Sequence, residues 1–514
     1  MSSVSFKVAD PLARWTLVKN AVANIASGAS GAILAVVLPP ILVRYLEQDT
    51  YSTWVLILQV GAYVDLLNFG LQTAVGRFVA REHEGEDHRQ RDRIVSTATA
   101  ILCGAVILGW LLIVFVIWKF SFFFPKVPTA LYPQARTALA WVGGSMALGL
   151  PFTVFSGIFI GLQRNEVPAA IHLTSRLLIG MGIVIAVLAR GDLVVIAKTF
   201  ASVNLITYAV QAFVGVRFGG SLRLSAACVD RSAFRILLNF CTALTVWSFA
   251  LLLVSGLDLL LVAWLDFPMV GAFGIAAGLL SLLTGFQSAI FQVLMPASAV
   301  LEGRGDQAAL GQVLLRGTRL NIALLTLLSA FCVAIVPSMI GLYIGPFYEI
   351  WVMRFFDILL LGTIIRLSMI PFVFVVIGTG DHHKIMGGPL AEGFSNLVAS
   401  VLLGMAFGAV GVAWGTVLGG LVGVAAHLWV YLPRCSRFRV DTSVFLRRGI
   451  LIPGSALLPL VAARAMSWGL LANNPQLDTG IRVASMVMSL TLLWRVGLNQ
   501  EERLFFKSYA KWRA

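Results

Sequence analysis

About fourteen apolar runs, each long enough to cross a bilayer, follow one another with only short polar gaps. That succession constrains the fold more than any other feature of the chain. Roughly 20 helical residues span the hydrocarbon core. Of the 514 residues, 59% are hydrophobic and 12% charged, whereas a soluble domain is about half apolar and a quarter charged. The spans consume almost the whole chain and leave little for a soluble catalytic domain. Backbone in lipid must satisfy its own hydrogen bonds, so the runs are expected to be helices. They are too long and too uniformly apolar for the alternating strands of a barrel. The first 20 residues are polar and basic and no cleavable signal is evident.

The expected fold is all-α and polytopic, with about 14 transmembrane helices. Span one is placed at Ala21–Val43 and span six at Leu193–Val216. Span seven is placed at Ile236–Leu265, span twelve at Val410–Tyr431, and the last two at Ile450–Leu471 and Val483–Leu498. The loop at Gly161 and the loop at Gly378 coincide when shifted by 378 − 161 = 217, and Tyr45-Leu46 falls on Trp264-Leu265 at 264 − 45 = 219. Spans one to six therefore align with spans seven to twelve. The reading is two pseudo-symmetric six-helix lobes (21–217 and 236–433) joined by a linker (218–235), with appended helices at 450–498 and tails at 1–20 and 499–514. Six spans is an even number, so the halves share one orientation. Parallel repeats of this kind are a transporter signature.

Charge sets the orientation. With an even number of spans and the N-terminus inside, both termini are cytoplasmic. Most of the 38 Lys and Arg then fall on the inner side, as the positive-inside rule requires. The clusters Arg89/Arg91/Arg93, Arg434/Arg437/Arg439 and Arg447/Arg448 suit anionic lipid head groups, so the net charge of +14 needs no nucleic acid. The five cysteines form no C-x-x-C pattern, and no metal site is expected. No Walker loop, G-x-S-x-G or H-E-x-x-H occurs, which argues against an enzyme.

Ionisable groups inside spans are costly and face a cavity or a partner. Asp65, Arg176, Asp258, Arg366 and Glu392 lie well inside spans, with His172, Lys198 and His427 also embedded. Asn20, Asn24, Ser27 and Gly31 recur at helical spacing on span one, as do Asp65, Asn68 and Gln72 on span two. Span eight carries Ser281, Thr284 and Ser288, with Gln287 and Gln292 close by. The candidate substrate and ion cavity therefore comprises Asn24, Asp65, Asn68, Gln72, Arg176, Asp258, Gln287, Arg366 and Glu392, with His172, Lys198 and Gln292 as secondary members. Glu392 maps to position 392 − 217 = 175, beside Arg176, so the two are expected to face each other or to form opposed walls. No cofactor is expected. The carboxylates Asp65, Asp258 and Glu392 are candidate carriers of H+ or Na+.

Several segments together resemble the polysaccharide (O-antigen-type) flippases of the multidrug/oligosaccharidyl-lipid/polysaccharide exporter superfamily. They are Leu38-Pro-Pro-Ile-Leu-Val-Arg44-Tyr-Leu, Tyr63-Val-Asp65-Leu-Leu-Asn-Phe-Gly70-Leu and Ala74-Val-Gly-Arg77-Phe-Val-Ala-Arg81-Glu. Gly256-Leu-Asp258-Leu-Leu-Leu, Pro296-Ala-Ser-Ala, Glu392-Gly-Phe-Ser-Asn396-Leu-Val-Ala-Ser400 and Gly408-Ala-Val-Gly-Val-Ala-Trp-Gly415-Thr complete the series. The chain departs from that pattern at Glu47-Gln-Asp and at Asn68. The resemblance implies two six-helix lobes plus an appended pair that forms a side groove for a lipid tail. It implies flipping of an undecaprenyl-diphosphate-linked oligosaccharide from the cytoplasmic to the periplasmic leaflet of the bacterial inner membrane. A glycan polymerase and chain-length machinery are implied partners. Three alternatives remain open: an ion-coupled multidrug exporter, a lipid II flippase, and a membrane-embedded glycan polymerase or transferase.

Overall fold

The computed structural model describes residues 34–83, 88–218, 225, 228–435, 440–469 and 475–504. Among them the regular structure is entirely helical. Twelve helices are long and apolar enough to cross a membrane. They are preceded by a short apolar helix α1 (Leu34–Tyr45) and run from α2 (Gln48–Ala80) through α3 (Arg89–Trp118), α4 (Thr129–Gly161), α5 (Glu166–Leu188) and α6 (Leu193–Phe218). Then come α7 (231–265, membrane-spanning over Ser248–Leu265), α8 (Phe267–Gly303), α9 (Gln307–Tyr343), α10 (Tyr348–Gly378), α11 (Gly387–Phe407), α12 (Ala409–Tyr431) and α13 (Thr442–Trp468). A last helix α14 (Pro475–Leu492) continues through a π turn to Gly497. It carries Asp478 and Arg482, which keep it below the apolarity of the other twelve. Among the described residues this makes fourteen helices, twelve of them long and apolar enough to span a membrane, roughly consistent with the expected number of about 14.

The repeat is visible in where the helices begin. The first residues of α8, α9, α10, α11 and α12 follow those of α2, α3, α4, α5 and α6 by 219, 218, 219, 221 and 216 residues (267 − 48 through 409 − 193). Interruptions recur at the same offset. In α4 a 3-10 turn at Leu150–Phe152 contains Pro151. In α10 the helix breaks between Leu367 and Ile370, just before Pro371. Proline removes a helical hydrogen bond and its ring crowds the preceding turn. Pro337, by contrast, is accommodated inside the unbroken α9.

The chain divides into two units. One holds residues up to Phe249 together with Asp266–Gly271; the other holds Ala250–Leu265 and everything from Ala272 onward.

In the first unit, glycines set how closely helices approach. A methyl group on Gly157 of α4 would stand 2.6 Å from the Gln72 carbonyl oxygen of α2. In the second unit the same device is more extended. Ser400, Asn396 and Glu392 lie one turn apart on α11, and each meets a glycine of α12: Gly415, Gly419 and Gly423 respectively. Small residues let helix backbones approach closely in a bilayer. Here they also leave room for polar side chains.

The appended pair packs against α9 and α10. Ala330 and Val333 of α9 form a buried apolar cluster with Leu460 of α13, flanked by Leu457 and Met486. Ion pairs hold the pair on either side of that cluster. Arg464 of α13 grips Asp357 of α10 with Nε at 3.0 Å from both carboxylate oxygens, and Trp468 Nε1 donates to the same carboxylate at 2.8 Å. Past α14, Glu502 is 3% exposed and accepts from Arg319 Nε at 2.9 and 3.0 Å.

Candidate functional site

In the second unit the polar groups converge where α7, α10, α11 and α12 meet. The α7 backbone winds into a π turn at Leu252–Gly256, one residue before the helix resumes at Asp258. A π turn misaligns carbonyls from their usual helical donors, and such turns gather at functional sites. Here the carbonyls of Leu253 and Val254 accept from Asn396 Nδ2, at 3.2 and 2.8 Å. The same amide donates to Asp258 Oδ1 at 3.1 Å, and Thr416 Oγ1 of α12 donates to Asp258 Oδ2 at 3.0 Å. Asp258 is 5% exposed. Each of its oxygens therefore has a donor from a neutral neighbour, as a buried carboxylate requires. Ser400 Oγ extends the network, donating toward Asn396 Oδ1 and the Val412 carbonyl, both at 3.2 Å.

One turn from Asn396, Glu392 is 8% exposed. Its carboxylate lies in the space left by Gly423, where a methyl group would be 2.7 Å from Oε2. The half-buried Arg366 of α10 acts electrostatically on both Asp258 and Glu392. Two carboxylates and one guanidinium thus share a desolvated site, and a second cation would balance its charge. This is the chemistry of a group that takes up and releases a cation.

In the first unit, Asp65 sits in the 3-10 turn Tyr63–Asn68 that interrupts α2, ahead of the left-handed residues Phe69 and Gly70. Asn68 Nδ2 donates to Thr153 Oγ1 at 2.9 Å, joining the break in α2 to the break in α4. Asn68 Oδ1 also accepts from the Gln72 backbone N–H at 3.2 Å and caps the resumed helix. Tyr208 of α6 stacks on Phe152 at 5.5 Å and feels the charge of Asp65. On α5, His172 and Arg176 are one turn apart and electrostatically coupled.

The structure therefore brings Asp258, Arg366 and Glu392 together, and separately Asp65 and Asn68. Other candidates stand elsewhere. Gln287 is fully buried, with Nε2 donating to Asn321 Oδ1 at 2.7 Å while Asn321 donates to the Leu367 carbonyl at 2.8 Å. It links α8, α9 and α10 and does not line open space. Lys198 is exposed, 6.0 Å from the Trp141 ring, and Gln292 is exposed. Asn24 lies outside the described residues. Within its own unit the cation acting on Glu392 is Arg366; Arg176 belongs to the other unit.

Asn396 and Thr416 are the residues that sequence reasoning missed. The available signal was the i, i+4 series Glu392, Asn396, Ser400 opposite the glycine series 415, 419, 423. The Asp357–Arg464 pair was also missed, because each residue lies in the outer part of an apolar run and the two are 107 residues apart in sequence.

The fold is that of a multi-pass membrane protein. Residues 17–302 match the polysaccharide biosynthesis protein family, so the chain belongs to that family. A comparison with curated proteins gives no match. Among solved structures, the chain is similar to the lipid II flippase MurJ in an inward closed conformation, with 12% identity and a TM-score of 0.65. That match covers 93% of this chain and 99% of the other. It is similar to a multidrug resistance MATE family transporter of the MOP superfamily in an inward-facing conformation, with 12% identity and a TM-score of 0.63. Here 83% and 96% of the two chains are covered. A MOP superfamily transporter from Pyrococcus furiosus gives 13% identity and a TM-score of 0.53 over 80% of this chain and 96% of that one. At these identities the likeness shows a shared fold.

Proposed function

We propose that the protein flips a polyprenyl-diphosphate-linked oligosaccharide from the cytoplasmic to the periplasmic leaflet of a bacterial inner membrane during surface polysaccharide assembly. The movement is by alternating access, and both termini are cytoplasmic. The polysaccharide family supports the substrate class, and the likeness to flippase and transporter folds supports the mode of action. The observation that carries the reading is the buried constellation Asp258, Glu392 and Arg366 with its donors Asn396 and Thr416. Charges this deep are costly, which makes them candidates for function. In this reading Asp258 and Glu392 exchange a coupling cation, H+ or Na+. Arg366 and Arg176 offer cationic contacts to the diphosphate, and Asp65, Asn68 and Gln72 bind sugar hydroxyls. The exposed Arg89, Arg93, Arg447 and Arg448 suit anionic lipid head groups on the cytoplasmic side. The glycan polymerase and chain-length machinery receive the flipped unit.

The test is deletion of the gene followed by analysis of lipid-linked oligosaccharide. Accumulation of complete precursor on the cytoplasmic leaflet is expected. Failure to assemble any precursor would instead assign the protein to glycan synthesis, and unchanged glycan with altered drug susceptibility would assign it to drug export.

A further inference from the structure

The polar face of α11 does not stop at Glu392. One turn nearer its start, Gly388 meets His427 of α12, and a methyl on Gly388 would stand 2.5 Å from Cε1 of that imidazole. His427 opens a second π turn, His427–Tyr431, at the end of α12. It is 4% exposed, and its Nδ1 has no hydrogen-bond partner among the described residues. Phe372 of α10 packs edge-on at 5.5 Å, and Tyr431 stands at 5.9 Å. An imidazole nitrogen buried without a partner is costly.

The charged and titratable neighbours lie on both sides of this ring. Toward the middle of the spans are Glu392 on α11 and Arg366 on α10. Toward the nearer helix ends is the turn His382–Ile385, which packs against His427–Tyr431. Its sequence carries His382, His383 and Lys384, and Lys384 Nζ pairs with the buried Asp381 at 2.9 Å. Eight residues past His427 is Cys435, whose thiol burial pushes up to about 11, leaving it neutral. Gly388 and Glu392 are one turn apart on α11, as are His427 and Gly423 on α12. The imidazole, against Gly388, and the Glu392 carboxyl, against Gly423, thus occupy neighbouring rungs of the α11–α12 interface; rungs one turn apart on a helix are spaced by about 6 Å at Cβ, a step that a rotamer change or one bridging water can span.

We propose that the coupling ion is a proton and that His427 is its relay between Glu392 and the cytoplasmic end of α11 and α12. The O–H bond of protonated Glu392 breaks as an N–H bond forms on His427 Nδ1. This leaves a carboxylate beside Arg366 and an imidazolium at the helix ends. The imidazolium then releases a proton to water past the turn His382–Ile385 and returns to the neutral form. This rests on the reading that Asp258 and Glu392 carry the coupling cation, and it names that cation.

The test is a pH titration of 15N-histidine-labelled full-length protein in lipid nanodiscs, with His427→Gln used to assign the His427 signal. Wild type and Glu392→Gln are then compared. The expected result is a His427 ring that protonates in the wild type with a midpoint displaced in Glu392→Gln. A ring that stays neutral throughout, or titrates identically in both proteins, overturns the proposal. In cells, His427→Gln is expected to reduce polysaccharide export at least tenfold and to change its dependence on cytoplasmic pH. If Asp258→Asn abolishes export while His427→Gln leaves export and its pH dependence unchanged, the cation reading stands and the relay fails. If Asp258→Asn exports normally, the cation reading fails and the relay with it.

Discussion

Asn396 and Asp258 are joined side chain to side chain: the Asn396 amide donates to Asp258 Oδ1 at 3.1 Å while reaching the π-turn carbonyls of Leu253 and Val254. One amide thus holds α11 against α7 and fixes the orientation of the carboxylate. Replacing it with leucine leaves two carbonyls and a carboxylate oxygen short of a donor in a site closed to water. Each such orphan costs about 1–3 kcal/mol. Asn396→Leu is expected to lower the melting temperature of the purified protein and to abolish export. Asn396→Gln, which keeps the amide but displaces it, is expected to retain the fold and lose most export.

The glycines opposite this ridge give a graded series. A methyl on Gly423 meets Glu392 Oε2 at 2.7 Å, and one on Gly419 meets the Asn396 Cα at 2.9 Å, whereas one on Gly420 has nothing nearer than 3.4 Å. The Gly419 contact is backbone and cannot swing aside. Overpacking costs roughly 1–3 kcal/mol, so Gly419→Ala is expected to destabilise and Gly420→Ala to be tolerated. Gly423→Ala also meets Glu392 Cβ at 2.9 Å, which cannot swing aside, and is expected to lower stability and, by displacing the carboxyl, to impair export. Thermal unfolding and surface glycan, measured on the same three variants, check the order.

Asp357 and Arg464 illustrate how much of the molecule was legible beforehand. Helix class and approximate helix number followed from apolar run lengths, because a bilayer demands roughly 20 apolar residues whatever the packing. Asp258, Arg366 and Glu392 stood out because charge inside such a run is rare. Pairing was not legible. Sequence spacing says which residues share a helix face, but which helices touch depends on packing. Arg464 meets Asp357 across 107 residues. For the same reason Gln287 read as a cavity residue although it is spent on Asn321.

That buried pair makes its own prediction. Removing one partner of a buried ion pair strands the other charge, at about 3–5 kcal/mol. Asp357→Leu or Arg464→Leu alone is expected to destabilise strongly. The double variant Asp357→Leu/Arg464→Leu is expected to recover most of the loss. Thermal unfolding of the three proteins is the measurement; equal loss in the single and double variants would mean that the pair contributes shape rather than charge.

Gln287 separates structure from transport. If its role is to link α8 to α9 through Asn321, Gln287→Leu lowers stability by about 1–3 kcal/mol through the orphaned amide. The protein that does fold is then expected to export normally. Normal stability with lost export would return Gln287 to the transport path.

The central claim is that Asp258, Glu392 and Arg366 drive movement of a lipid-linked glycan. The most direct measurement is flipping by purified protein in liposomes loaded with fluorescently tagged polyprenyl-diphosphate oligosaccharide, read by quenching from outside, with and without an imposed cation gradient. The account predicts gradient-accelerated flipping by the wild type and loss of that acceleration in Asp258→Asn, Glu392→Gln and Arg366→Ala, all still inserted. Flipping at the wild-type rate in all three variants would contradict it.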